Sequence, residues 1–169
     1  MEDKLQFLQK VYLFKDIPES CIRELLKAMR IEGYPKGEEI IREGELGDSL
    51  FILFEGTVSV TKKLTLFADN QGKSRVDKAL IRLKGSDYAF FGEMSLCGEA
   101  EERSATVKAA TDCVLGELAA EDIYRMVEEK QDFGRKFYQN LAKVLADRLR
   151  KANRDILKLT TVLTLALEE

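Results

Sequence analysis

From about residue 31 the chain is a succession of short apolar runs separated by glycine-bearing turns, and this spacing restricts the fold more than any other feature. The runs are MRIEGY, EEIIR, SLFILFEGTVSVTKK, KALIRLK, SATVKA and CVLGEL. Runs this short, rich in β-branched and aromatic residues and bounded by Gly, Pro or Asn, are strands. Several of them at close spacing predict a compact antiparallel barrel or roll. The turns are legible as Pro35-Lys36-Gly37, Gly44 to Gly47, Glu55-Gly56 and Asp69-Asn70-Gln71-Gly72, where glycine supplies positive φ or close backbone approach.

Helical periodicity flanks this β region. Leu5, Leu8 and Val11, then Ile22, Leu25, Leu26 and Met29 after Pro18, recur at the i, i+3, i+4, i+7 spacing of two short amphipathic helices. The period returns near Ala120 in EDIYRMVEEK, breaks around Asp132 to Gly134, and then continues to the C-terminus. The expected fold class is therefore α+β: an antiparallel, jelly-roll-like β-roll flanked by N-terminal helices and two C-terminal helices. Residues 1–134 are expected to form the roll with its flanking helices, and 135–169 a C-terminal lid and dimerisation helix. In that helix Leu145, Leu149, Ala152, Ile156, Leu159, Leu163 and Ala166 alternate by four and three, the spacing of a coiled-coil seam. Leu157, Val162, Leu165 and Leu167 add apolar groups around the rest of the helix, too much to leave in water, so a homodimer through this helix is expected.

Composition narrows the function. With 45% hydrophobic and 34% charged residues the chain has the balance of a soluble globular protein. The net charge of −3 provides no general basic surface for nucleic acid, and the Lys/Arg cluster between 141 and 158 reads as a solvated helix face. There is no histidine, which removes the commonest general base and metal ligand and, with it, the Ser-His-Asp and Cys-His schemes. An enzyme is not expected, and neither is a metal or a cofactor. The three cysteines, Cys21, Cys97 and Cys113, are far apart and fit neither a disulfide framework nor a zinc site, which is in keeping with a reducing cytoplasm. No apolar run reaches the ~20 residues of a membrane helix, and the N-terminus lacks a signal-peptide pattern, so no membrane partner is expected.

Two stretches invite a phosphate. Gly72-Lys73-Ser74 is the tail of a P-loop, but Phe67 stands where the first glycine belongs and RVDKALIRL follows as a strand instead of a helix. FFGEMSLCGEAEERSATVKA, residues 90 to 109, is the stronger candidate. Gly92 allows backbone amides to face a ligand, Glu93 to Leu96 can form a short helical turn with free N–H groups, and the chain returns as a strand at Ala105. Arg103 offers a planar fork of donors that fits two phosphate oxygens, and Ser104 adds a hydroxyl. Glu93, an acceptor only, is repelled by phosphate and suits a neighbouring sugar hydroxyl. A ligand with one phosphate and a free ribose hydroxyl satisfies both ends. A surface loop with an ion pair between Arg103 and a glutamate is the alternative reading.

FGEMSL followed by ERSAT resembles the phosphate-binding cassette of the cyclic-nucleotide-binding domain family, and is most similar to the bacterial catabolite activator branch. The resemblance extends from residue 12 to about 158 and includes LFKDIP and YPKGEEIIREGELGDSLFILFEGTVSV. It implies a sensor or regulatory module for cAMP or cGMP that signals through a rearrangement of its C-terminal helices. Arg103 and Ser104 would hold the cyclic phosphate and Glu93 the ribose 2′-OH. Gly92, Met94 and Ala105 would give backbone or apolar contacts, Val60 and Leu80 the wall beside the base, and Asn153 the contact to the purine edge. Two departures are visible. Glu102 replaces the proline that often precedes the arginine, and the helix-turn-helix DNA reader of that branch is not expected in this chain. A family member that keeps the fold as an interaction module without binding nucleotide is the competing reading.

Overall fold

The structure is a computed structural model whose described residues are 2–64, 76–97 and 102–167, the side chains of 63, 64 and 76–80 excepted. Two helices, α1 (Glu2–Lys10) and α2 (Glu19–Ala28), form where the apolar periodicity predicts them and precede eight strands among the described residues. The strands are β1 (Arg30–Tyr34), β2 (Glu39–Ile41), β3 (Ser49–Glu55), β4 (Thr57–Leu64), β5 (Val76–Lys84), β6 (Phe90–Phe91), β7 (Thr106–Ala109) and β8 (Cys113–Ala119). Helices α3 (Ala120–Glu129) and α4 (Gln131–Leu167) close the chain. The expected turn at Asp69 to Gly72 and the Gly72-Lys73-Ser74 stretch lie outside the described residues.

The strands form two four-stranded antiparallel sheets, ordered β1-β8-β3-β6 and β2-β7-β4-β5. The apolar run of β3 is continuous because the strand has a core on each side. Leu50, Ile52 and Phe54 point outward to the helices, whereas Phe51 and Leu53 point into the roll with Val58, Phe91, Val107 and Leu115. A strand buried on both faces has no reason to alternate polar and apolar residues.

The outer core fixes the root of α4. Phe133, Phe137 and Leu141 pack among Leu5, Leu8, Phe14, Ile22 and Leu25, with the Phe133 and Phe137 rings stacked 5.5 Å apart. Asn140, 3% exposed, donates through Nδ2 to the carbonyls of Leu13 and Lys15 at 3.1 and 2.8 Å, satisfying the end of the short 3-10 turn Tyr12–Phe14. The expected break between the last helices is a single residue, Lys130, with φ −133° and ψ 87°. Gly134 lies inside α4, and its role is close packing: a Cβ there would stand 2.9 Å from the Val127 side chain. Helix α4 therefore crosses the expected 134/135 boundary without interruption. The part that leaves the core starts near Asp147, and Leu149, Ile156, Leu157, Leu159, Val162, Leu163, Leu165 and Leu167 are all exposed along it. Among the described residues no helix is long and apolar enough to cross a membrane.

Candidate functional site

The site is built at the end of β6, where the chain must turn sharply. Gly92 adopts φ 82°, and a Cβ there would meet the Ser49 carbonyl at 2.5 Å, so only glycine fits both the conformation and the space. A 3-10 turn, Glu93–Leu96, follows as the sequence predicts, and the Ser95 hydroxyl donates back to the Gly92 carbonyl at 2.6 Å. Facing it, the backbone of 102–103 is fastened to the 42–48 loop. Gly44 N–H donates to the Arg103 carbonyl at 2.9 Å, Arg103 N–H donates to the Glu45 carbonyl at 2.8 Å, and Leu46 bridges Glu102.

These restraints aim the Arg103 side chain. Its Nη1 donates to the Ser49 carbonyl at 3.0 Å and to the Ser95 hydroxyl at 3.3 Å, and its guanidinium lies 5.9 Å from the Phe51 ring, itself stacked on Phe91. Gly47 forms the opposite wall; a Cβ on it would come within 2.5 Å of Nε. Burial pushes the guanidinium down from the ordinary arginine range, opposed by the charges of Asp48 and Glu117. Among the described residues both side-chain hydrogen bonds from Arg103 leave Nη1, so Nε and Nη2 keep donors for an oxyanion, the fork geometry that matches phosphate. A half-buried cation held this firmly is preorganised for an anion.

One cavity of about 330 Å³ joins these groups, with Ile41, Val60, Ile81, Leu83 and Val107 as its apolar wall. Gly92, Glu93, Met94, Arg103, Ser104, Ala105 and Val60, all expected from the sequence, line it together. Leu80 belongs to β5, at the register shift where Val60 pairs with Ile81 and Thr61 with Ala79, but its side chain is outside the described residues. Ile81 and Leu83 supply the β5 wall.

Asn153 is the departure. The cavity takes Arg148 and Lys151 from α4 instead. Residues three apart on a helix are separated by only about 60° around the axis, whereas Asn153 is turned about 140° from Arg148. Asn153 is exposed on another face of the helix.

The sequence did not reveal what Arg148 does. Glu93 is only 3% exposed, and a buried carboxylate requires a partner. Arg148 supplies it: Nη1 donates to Glu93 Oε1, and Nη2 donates to the Phe90 carbonyl at 3.1 Å. The residue expected to face ribose is thus also the point where α4 is attached to the roll. A carboxylate has acceptor capacity for both an arginine and a hydroxyl. Charge on the helix was visible in the sequence, but its register against the roll was not.

The profile of the family described as cyclic nucleotide-binding domain matches residues 31–130. The chain belongs to that family. It is 30% identical over 156 residues to human cGMP-dependent protein kinase 2, covering 91% of this chain and 18% of the kinase. Among solved structures, it is similar to the Thermus thermophilus catabolite activator protein (TM-score 0.71, 28% identity, 88% of this chain and 63% of that one). A cyclic nucleotide-binding domain from Methylobacillus flagellatus gives TM-score 0.74 at 26% identity, over 92% of this chain and 82% of that one. The chain spans less than a fifth of the length of the human kinase it matches.

Proposed function

We propose that this domain binds cAMP or cGMP in the cavity between β4, β5, β7 and the 3-10 turn, and passes the event to α4. The observation that carries this reading is the pairing, in one cavity, of a half-buried Arg103 fork with the Glu93 carboxylate. Arg103 and Ser104 take the cyclic phosphate, with Gly92 and the amides of the 3-10 turn beside it. Glu93 accepts from the ribose 2′-OH. Met94 and Ala105 flank the nucleotide, and Val60 and Leu80, with Ile81 and Leu83, form the apolar wall for the base.

The nucleotide acts on the helix through the groups α4 brings to the same cavity, Arg148 and Lys151. A ligand shifts a conformational equilibrium only by its differential affinity for the two states, so contacts to both roll and helix are what signalling requires. The exposed apolar stripe of α4 supports a homodimer with Leu149, Ala152, Ile156, Leu159 and Leu163 in the seam. In that dimer Asn153, beside seam position Ala152, would be offered across the seam to the second pocket. Kinase, channel or transcriptional outputs are not assigned to this chain. Calorimetric titration with cAMP and cGMP, against the corresponding 5′-monophosphates, tests the reading. Saturable binding of a cyclic nucleotide that is lost in Arg103→Ala is the expected result; no binding of either would leave an interaction module that keeps only the fold.

A further inference from the structure

We propose that Met94 is a reversible oxidation site, at which a hydroperoxide converts the thioether to a sulfoxide that draws Ser104 away from the phosphate and lowers nucleotide affinity. This rests on the nucleotide reading of the same cavity. Met94 follows Glu93 in the 3-10 turn and lines the cavity with Arg103 and Ser104. It does not enter a core. Met94 is 57% exposed, whereas Met29 and Met126 are 7% and 2% exposed. An exposed thioether is open to an oxidant that the buried pair cannot meet.

The Ser104 hydroxyl donates to Met94 Sδ at 3.9 Å. A thioether sulfur is a weak acceptor, so this bond yields readily to an ionised phosphate oxygen. The reduced side chain therefore leaves Ser104 available to the ligand.

Oxidation reverses that. A lone pair of the Met94 sulfur attacks the terminal oxygen of the hydroperoxide, an S–O bond forms and the O–O bond breaks. The proton on the transferred oxygen passes to the departing oxygen, which leaves as water when the oxidant is hydrogen peroxide. Sulfur gives up two electrons and the peroxide takes them. The product oxygen is a polar acceptor one bond away from the sulfur that Ser104 already faces, and rotation of the terminal bonds brings it to the hydroxyl. It also sets a partly negative end beside the phosphate position. A bound nucleotide covers the same side chain, so occupancy and oxidation oppose each other.

The test is peroxide treatment of the full chain in a Cys97→Ser background, because the exposed thiol three residues on also reacts with peroxide. Peptide mass mapping after limiting hydrogen peroxide should find Met94 oxidised ahead of Met29 and Met126, and saturating cAMP or cGMP should slow it. Calorimetric titration should then give an affinity about tenfold lower than before treatment, the loss of one hydrogen bond to a charged group. The two epimer-specific methionine sulfoxide reductases together should restore it. Met94→Leu, whatever its starting affinity, should bind equally before and after peroxide. Ser104→Ala, which lacks the hydroxyl that the sulfoxide takes, should lose most of the response. Oxidation of Met94 no faster than of the buried pair, an affinity unchanged by Met94 oxidation, an equal fall in Met94→Leu, or a loss that the reductases do not reverse would each overturn the assignment while leaving the nucleotide reading intact. Failure of the untreated protein to bind either nucleotide would overturn that reading, and this inference with it.

Discussion

Arg103 concentrates the site into one side chain. Because it is held by Ser49, Ser95, Phe51 and Gly47, little of its conformational freedom is left to lose when an anion arrives. Arg103→Ala should lower nucleotide affinity by about ten- to a hundredfold, as losing a charge-assisted contact of roughly 1.5–3 kcal/mol implies, with little change in melting temperature. Gly47 gives a second route to the same effect. Gly47→Ala would place a Cβ against Nε, so affinity should fall with every ligand contact residue intact, and titration beside a thermal melt would separate this from misfolding. Glu93→Gln should weaken a ribonucleotide more than its 2′-deoxy analogue; an equal loss for both would mean that Glu93 acts only through Arg148. That Gly92, Glu93, Arg103 and Ser104 come together in one cavity was legible because they lie in one short segment, where spacing along the chain approximates spacing in the fold. Gly47 and Arg148 were not, since each reaches the site from an element more than 40 positions away in sequence and nothing local marks it.

Among the elements, every described strand but the two-residue β6 (Phe90–Phe91) announced itself through a short apolar run, and the 3-10 turn at Glu93–Leu96 was expected. The last helix was harder to read. Its seam pattern was visible, but the break expected around Asp132 to Gly134 lies slightly earlier, and Gly134 instead lets α4 lie close to Val127. The junction is Lys130, which is ion-paired with Glu24 on α2. That ammonium holds the Glu24 carboxyl below its ordinary value of 4.5. A depressed carboxylate contributes stability above its unfolded pKa and loses it as pH falls through the folded value. Glu24→Gln should therefore lower the melting temperature slightly at pH 7, and the difference from wild type should shrink as the pH falls through the depressed folded pKa of Glu24. Asn140 gave no sign in the sequence, where a lone asparagine on an amphipathic helix reads as solvent-facing. Asn140→Ala should cost about 1–3 kcal/mol in denaturant unfolding, since the Leu13 and Lys15 carbonyls lose their donor in a buried place.

At the scale of the whole molecule, α4 has one end in the core and the other in solvent, with the nucleotide cavity between them. Phe133, Phe137 and Asn140 hold the root; Arg148 and Lys151 meet the cavity; from Leu149 onward the apolar stripe is exposed. Occupancy of the cavity can thus change the angle of the outer helix without disturbing the root, and the helix carries that change to the surface that a second copy would cover. The central claim is that the nucleotide moves α4 through its attachment to the roll at Glu93. Spin labels at Lys36 on the roll and Lys158 on the outer helix, in a chain whose exposed Cys97 is replaced by Ser, report that distance directly. With saturating cGMP or cAMP the distance distribution should shift and narrow in wild type. In Arg148→Gln the distribution should already be broad without ligand, and the nucleotide, still bound through Arg103, should shift it less. A distribution that saturating nucleotide leaves unchanged in wild type, or that shifts equally in Arg148→Gln, would contradict the account.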